Sequence, residues 1–292
     1  MKQLSASGAV ALAILCLAAD ASPGDSQQTM SSRVLLGSVA AGNRALVDLG
    51  PDDFVIEEGG TPRDVFEMHV ADYPIVVLID NGTAEDELLA IRDAAARFVS
   101  RVGERPVAVG TLADPPAILA SFDADRAKVL ADIRGVTADP SAGLKPMQAL
   151  AGAVTAIETS GAPFSAIVVI SARPIEPAEI GSTELLTPIL ASHAFVHVIA
   201  HRPAEVSEPS RQASRADGDG DVLRQLSNLA HGQYTTIYSP ASYGIALDRL
   251  ADRLSSEVMI EYLVPPGPGG RGEVRVGVKI PGARVTGLGV SR

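Results

Sequence analysis

The chain has 292 residues, 46% of them hydrophobic, which is enough for one sizeable core and a smaller accessory unit. Its formal net charge is −11, aromatics make up only 4% and tryptophan is absent. These totals argue against nucleic acid, against docking on anionic lipid by charge, and against stacking platforms for bases or sugars.

The N-terminal stretch MKQLSASGAVALAILCLAADASPGDSQQ opens with a positive residue, Lys2, followed by an apolar run over 6–19 that is too short to span a bilayer comfortably. Ala19-Asp20-Ala21 then gives the small-x-small pattern of a cleavage site. A signal peptide over 1–21 is expected, with export to the periplasm or beyond and no membrane insertion of the mature chain. Cys16, the single cysteine, lies inside this leader behind Leu15, not after a small residue, so lipid attachment does not fit. The mature chain is left without a disulfide, a thiolate nucleophile or a Cys-metal site.

Residues 22–32 read as a polar linker. Short apolar runs near 33–39, 54–57 and 64–70, separated by Gly-Asn and Gly-Pro-Asp turn signals, predict an N-terminal β segment over 33–72. From Tyr73 the period changes. Residues 75–80 are continuously apolar up to Asp80, the pattern of a strand buried on both faces. EDELLAIRDAAARFVSRV (85–102) carries apolar residues at helical spacing, with acids first and arginines later. Pro106 opens a strand through Gly110, and AILASF (117–122) is a further apolar run. DADRAKVLADIRG predicts a helix capped by Asp123 and ended by Gly135.

Further helices are expected over 144–159, 182–192, 221–230 and 240–255, alternating with strands at 165–170, 194–200 and 233–237. Such alternation predicts an α/β unit over 73–255, a doubly wound and mostly parallel sheet with helices on both faces. VMIEYLV, GEVRVGVKI and ARVTGLGV alternate between Pro/Gly turns and predict antiparallel strands over 256–292. These are expected to pair with the 33–70 strands as a small antiparallel β extension.

The order of these segments resembles a von Willebrand factor A-type domain, and more narrowly an exported bacterial subfamily with short β segments on both sides of it. The resemblance is carried by DLGPDDFVIEEGGTPRDVFEM, VVLIDNG, LKPMQALAGAV, IVVISARP, FVHVIAHRP, LRQLSNLAHGQY and SSEVMIEYLVPP, and covers roughly residues 33–292. It implies a metal-ion-dependent adhesion site above the sheet, built from Asp-x-Ser-x-Ser, a threonine and a further aspartate. Asp80 matches the first position. The serine positions fall on Gly82 and Ala84, the threonine near Leu144 and the last aspartate near Ala172, so four of the five expected oxygens are missing. A lone carboxylate cannot assemble the near-octahedral oxygen shell of Mg²⁺. No bound metal or other cofactor is therefore expected, and Asp80 is expected to cap its own loop by accepting the N–H groups of Gly82 and Thr83. Thr83, Asp139 and Ser141 are the substitute ligands that a surviving Mg²⁺ site would use.

Other candidates have plainer readings. His193, His197 and His201 recur every fourth residue along a strand, where four residues span about 13 Å, so neighbours cannot share one zinc ion. His197 reads as a packed strand residue, whereas His201 at the strand end can reach the ligand-facing edge. ADGDGD (216–221) lacks the Gly and Glu of a calcium loop and reads as a solvated turn whose Asp221 caps the next helix. No nucleophile elbow, phosphate-cradling loop or zinc-protease helix is present, so no catalytic residue is assigned.

The expected function is a non-catalytic binding module for a protein partner, using the loops beyond the strand C-termini. Those loops are Asp80–Glu85, Ala113–Pro116, Asp139–Lys145, Ser171–Pro174 and His201–Pro203, with Asp80, Asn81, Thr83, Asp114, Asp139, Ser141 and Arg173 as contact residues. The alternatives are a Mg²⁺-dependent adhesion module, an exported hydrolase with an unfamiliar site, and a structural subunit whose tail strands complete a neighbour's sheet.

Overall fold

A computed structural model of the chain describes residues 30–42, 44–173, 175, 185–202, 221–265 and 272–291. The expected signal peptide, most of the expected linker, and Asp217 and Asp219 lie outside these residues.

The central sheet contains β6 (Ile75–Ile79), β7 (Val107–Thr111), β8 (Ile118–Ala120), β9 (Ala166–Ser171), β10 (Phe195–His201) and β11 (Tyr234–Ile237). Their spatial order is β11-β10-β9-β6-β7-β8. Four neighbouring pairs are parallel, but β8 runs antiparallel to β7, so the sheet is mixed. The reason is chain length. Loop 112–117 is too short for the crossover that a parallel connection requires, so the strand turns back.

Alternation along β6 divides the interior. Ile75, Val77 and Ile79 face a core shared with α1 (Glu85–Arg101), α2 (Arg126–Gly135) and α6 (Ser242–Ser255). Val76 and Leu78 face the opposite core, with α3 (Pro146–Ser160), α4 (Leu186–Ala191) and α5 (Val222–Leu229). Helix α1 buries Leu88, Ile91, Phe98 and Val99, each such side chain contributing about 1.5–3 kcal/mol. Helix α2 starts later than expected: Asp125, not Asp123, caps it by accepting the Lys128 N–H at 2.7 Å. Helix α3 also starts late, because Pro146 occupies the first turn, where its missing N–H costs nothing, while Leu144 makes a bridge to Ala113.

The chain ends build more than a small extension. β1 (Ser31–Ala41) lies between β12 (Glu257–Val264) and β14 (Ala283–Val290), β5 (Val65–Val70) lies outside β12, and β2 (Arg44–Ala45) pairs with β1. A second sheet contains β13 (Val274–Val278), β3 (Phe54–Glu58) and β4 (Thr61–Arg63). All these pairs are antiparallel, and four of them, β1–β12, β1–β14, β5–β12 and β3–β13, join the N-terminal strands to the tail strands as expected. Period-2 alternation makes the larger sheet two-faced. Leu35, Val39, Val258, Ile260 and Tyr262 pack with Phe54 and Ile56 between the two sheets, whereas Leu36 and Met259 join the α/β core.

A buried polar cluster bolts this seam. Tyr73 donates its hydroxyl to Glu257 Oε2 at 2.5 Å, and Arg105 lies 3.9 Å from the same oxygen. Arg105 also donates to Leu254 O at 2.6 Å, and its guanidinium sits 4.2 Å above the Tyr73 ring. Burial raises the pKa of Glu257, against the pull of Tyr73 and Arg105. Tyr73→Phe leaves a buried carboxylate oxygen without its shortest bond. The expected result is a loss of about 1–3 kcal/mol in urea unfolding.

Candidate functional site

Four segments meet beyond the C-terminal ends of β6, β7 and β9. The reason is local: β6 is apolar to its last residue and Asp80 follows at once, while β7 and β9 end on their first polar side chains, Thr111 and Ser171. Asp80 follows β6 and is completely buried. Its Oδ1 accepts the Gly82 N–H at 3.0 Å and its Oδ2 accepts the Ala172 N–H at 2.9 Å. The Gly82 bond is the expected Asx-type turn. The second bond ties the loop after β9, not Thr83, to the loop after β6.

Burial pushes the Asp80 carboxyl up to about 6, an effect that the two N–H bonds and Arg173 reduce and Glu87 reinforces. Asn81 extends the tie sideways. Its Oδ1 accepts the Ala113 N–H at 3.2 Å, its Nδ2 donates to Thr137 O at 3.3 Å, and its carbonyl accepts the Asp139 N–H at 2.8 Å.

Asp139 closes its own turn by accepting the Ser141 hydroxyl at 2.6 Å and the Ser141 and Ala142 N–H groups at 3.2 Å. The hydrogen bond from Ser141 holds the Asp139 carboxyl below its usual range. Asp114 donates its N–H to Gly143 O at 2.9 Å, and its carboxylate lies 3.9 Å from Lys145 Nζ. Of the seven expected contact residues, Asp114, Asp139 and Ser141 are exposed, Asn81 and Arg173 are half-buried, and Asp80 and Thr83 are buried.

A second carboxylate, Glu87, was not singled out from the sequence. It accepts the Thr83 hydroxyl at 3.1 Å, His201 Nδ1–H at 2.5 Å and the Tyr243 hydroxyl at 2.9 Å. His201 thus reaches the ligand-facing edge, and burial first, then Glu87, raises the pKa of Tyr243. The only legible signal was the four-residue spacing that puts Thr83, just before α1, near Glu87 in its first turn. The other two partners come from β10 and α6. His197, by contrast, is a packed strand residue: its Nδ1 accepts the Gln233 N–H at 3.1 Å, and burial depresses its pKa to about 3. Asp221 caps α5 as expected, accepting the Leu223 and Arg224 N–H groups.

No family model matches the sequence, and no curated protein matches it significantly. Solved structures do match. A von Willebrand factor type A protein from Catenulispora acidiphila is 13% identical, with a TM-score of 0.50 over 90% of this chain and 74% of that one. The chain has a von Willebrand factor A-type fold. BatB from Bacteroides thetaiotaomicron (14% identity, TM-score 0.46, 63% of this chain and 98% of that chain) also matches. So does the domain of the type V pili tip protein Mfa5 from Porphyromonas gingivalis (13%, 0.43, 63% and 95%).

Packing is tight at the positions onto which the sequence resemblance maps the adhesion-site oxygens. A Cβ on residue 82 would lie 2.8 Å from Leu144 Cδ2, and Leu144 is itself completely buried. Ala172, near which the resemblance maps the last aspartate, offers its N–H to Asp80.

The raised Asp80 pKa sets a pH dependence. Its folded value lies above its ordinary 3.8, so the associated stability is present below about pH 4 and lost as pH rises through about 6. Relative to Asp80→Asn, the wild type is expected to lose about 3 kcal/mol between about pH 3.5 and about pH 7.5 in chemical unfolding. A flat difference across that window contradicts it.

Proposed function

We propose that the chain is an exported, non-catalytic protein-binding module whose partner meets the crown of loops without a tightly bound divalent cation. The observation that carries this reading is the state of Asp80. Both of its oxygens already accept a backbone N–H group, so Asp80 has at most one further lone pair on each to offer a cation, and the rest of the shell would have to come from its neighbours. Gly82, Ala84, Leu144 and Ala172 supply no side-chain oxygen, and Mg²⁺ demands an octahedral oxygen shell. The residues present do not fit the ion.

The non-catalytic part rests on the Glu87 cluster. The hydroxyls of Thr83 and Tyr243 both donate to Glu87, so neither is set against the His201 imidazole as a nucleophile facing its base. What remains is a tied surface presenting Asp114, Asp139 and Ser141, whose loops are already ordered before a partner arrives. Preorganisation of this kind lowers the entropic cost of association. Export rests on the leader pattern over residues 1–21.

Two measurements test the reading. Calorimetric titration with Mg²⁺, Mn²⁺ and Ca²⁺ is expected to give no saturable heat in the micromolar range; micromolar binding that Asp80→Ala abolishes overturns the metal-free part. Capture of bound protein from a cell-envelope extract is expected to fall at least about tenfold for the Asp114→Ala/Arg173→Ala double variant, the size of a 1.4 kcal/mol loss. Undiminished capture places the interface elsewhere.

A further inference from the structure

At the opposite edge of the central sheet from the crown, where β9 and β10 begin, a cleft of 780 Å³ opens between the α/β unit and β14. Its size falls in the range of small-molecule sites, which favour such junctions. Phe164 and Phe195 line it together with Leu229 and Leu288, and His193 and His231 stand at its rim. Gly289 of β14 lies against the rings; a Cβ there would come within 3.3 Å of Phe164.

Three helices end at this cleft with one device. Gly161 after α3, His193 after α4 and His231 after α5 have φ of 64°, 55° and 54°. Each donates its N–H to the carbonyl three residues back at 3.3 Å, to Glu158, Leu190 and Asn228. Glycine adopts this left-handed cap freely, whereas a residue with a Cβ is strained there by roughly 1 kcal/mol or more. Among the described residues, the non-glycine residues with positive φ are His193 and His231, and both line this one cleft. β10 and β11 are paired in parallel, Val198 opposite Tyr234, so the turns that carry the two histidines lie side by side. Strain repeated on the same residue type at the same opening marks a site where the side chain is wanted.

The electrostatics choose the ligand. Helices α3 and α5 direct the negative ends of their dipoles at this edge. Among the described residues the lining contains no Lys, Arg, Asp or Glu. Phe164 and Phe195 are among the lining residues, aromatic rings attract cations, and a neutral imidazole accepts a hydrogen bond from an ammonium N–H. The whole chain carries a net charge of −11.

We propose that this cleft binds an organic amine in its ammonium form, with the apolar body against Phe164, Phe195 and Leu288 and the charged head at His193 and His231. The site is separate from the crown and does not depend on the protein-binding reading.

Three probes sharing one ring and differing in the head test it on the full chain: benzylammonium, benzyl alcohol and benzoate, each titrated by amide chemical shifts. Saturable shifts at His193, Phe195, His231 and Gly289 are expected with benzylammonium, at least about fivefold tighter than with benzyl alcohol, a difference of about 1 kcal/mol. Benzoate is expected to give no saturable shift. The His193→Asn/His231→Asn variant, chosen because asparagine tolerates the left-handed cap, is expected to weaken benzylammonium by a similar factor. Leu229→Trp, at the exposed rim, is expected to weaken all binding and guards against loss of fold in the double variant. Equal binding of the alcohol, preference for benzoate, an unaffected histidine variant, or no saturable shift with benzylammonium each overturns the proposal.

Discussion

The crown depends on one buried carboxylate. Asp80 sits at the end of the first central strand with no exposure to water, and both of its oxygens accept backbone N–H groups from different loops. Burying a charge is costly unless it is hydrogen-bonded, and the upward shift of its pKa records the part of that cost left uncompensated. The return is geometric. Two loops separated by 92 positions in sequence are held to one atom group, and Asn81 passes the constraint to the loops at Ala113 and Thr137.

The second carboxylate extends the same logic towards the helices. Glu87 collects hydroxyls from Thr83 and Tyr243 and the imidazole of His201, joining α1, β10 and α6 behind the loops. Charge-assisted bonds of this type are about twice as strong as neutral ones and impose direction. The crown is consequently a network anchored on two acids. The seam below is anchored on a third, Glu257, held by Tyr73 and Arg105.

Much of the architecture was legible because it follows from local rules. Continuous apolar runs marked the central strands, helical spacing marked α1, and alternation in the tail marked strands whose expected partners were the strands before the core. The antiparallel β8 was missed because its direction depends on the length of a loop, not on the run AILASF itself. The cap of α2 shifted from Asp123 to Asp125 because two aspartates two residues apart offer the same local signal. At the crown, Asp80 and its Gly82 bond were readable from a single loop, but the Ala172 bond was not, since a backbone N–H leaves no trace in side-chain pattern. Glu87 was hidden for a related reason: its partners His201 and Tyr243 lie 114 and 156 positions away.

The contact between Leu144 and residue 82 bears on which side chains the crown can accept. A side chain at 82 would begin 2.8 Å from Leu144 Cδ2, too close for both to keep their places. The two positions are therefore coupled: a serine at 82 requires the Leu144 side chain, whose flexible end makes the contact, to move aside. Any oxygen-bearing side chain introduced at 82 is thus decided jointly with residue 144, from a different loop. Close packing in this small volume makes the crown's sequence choices collective.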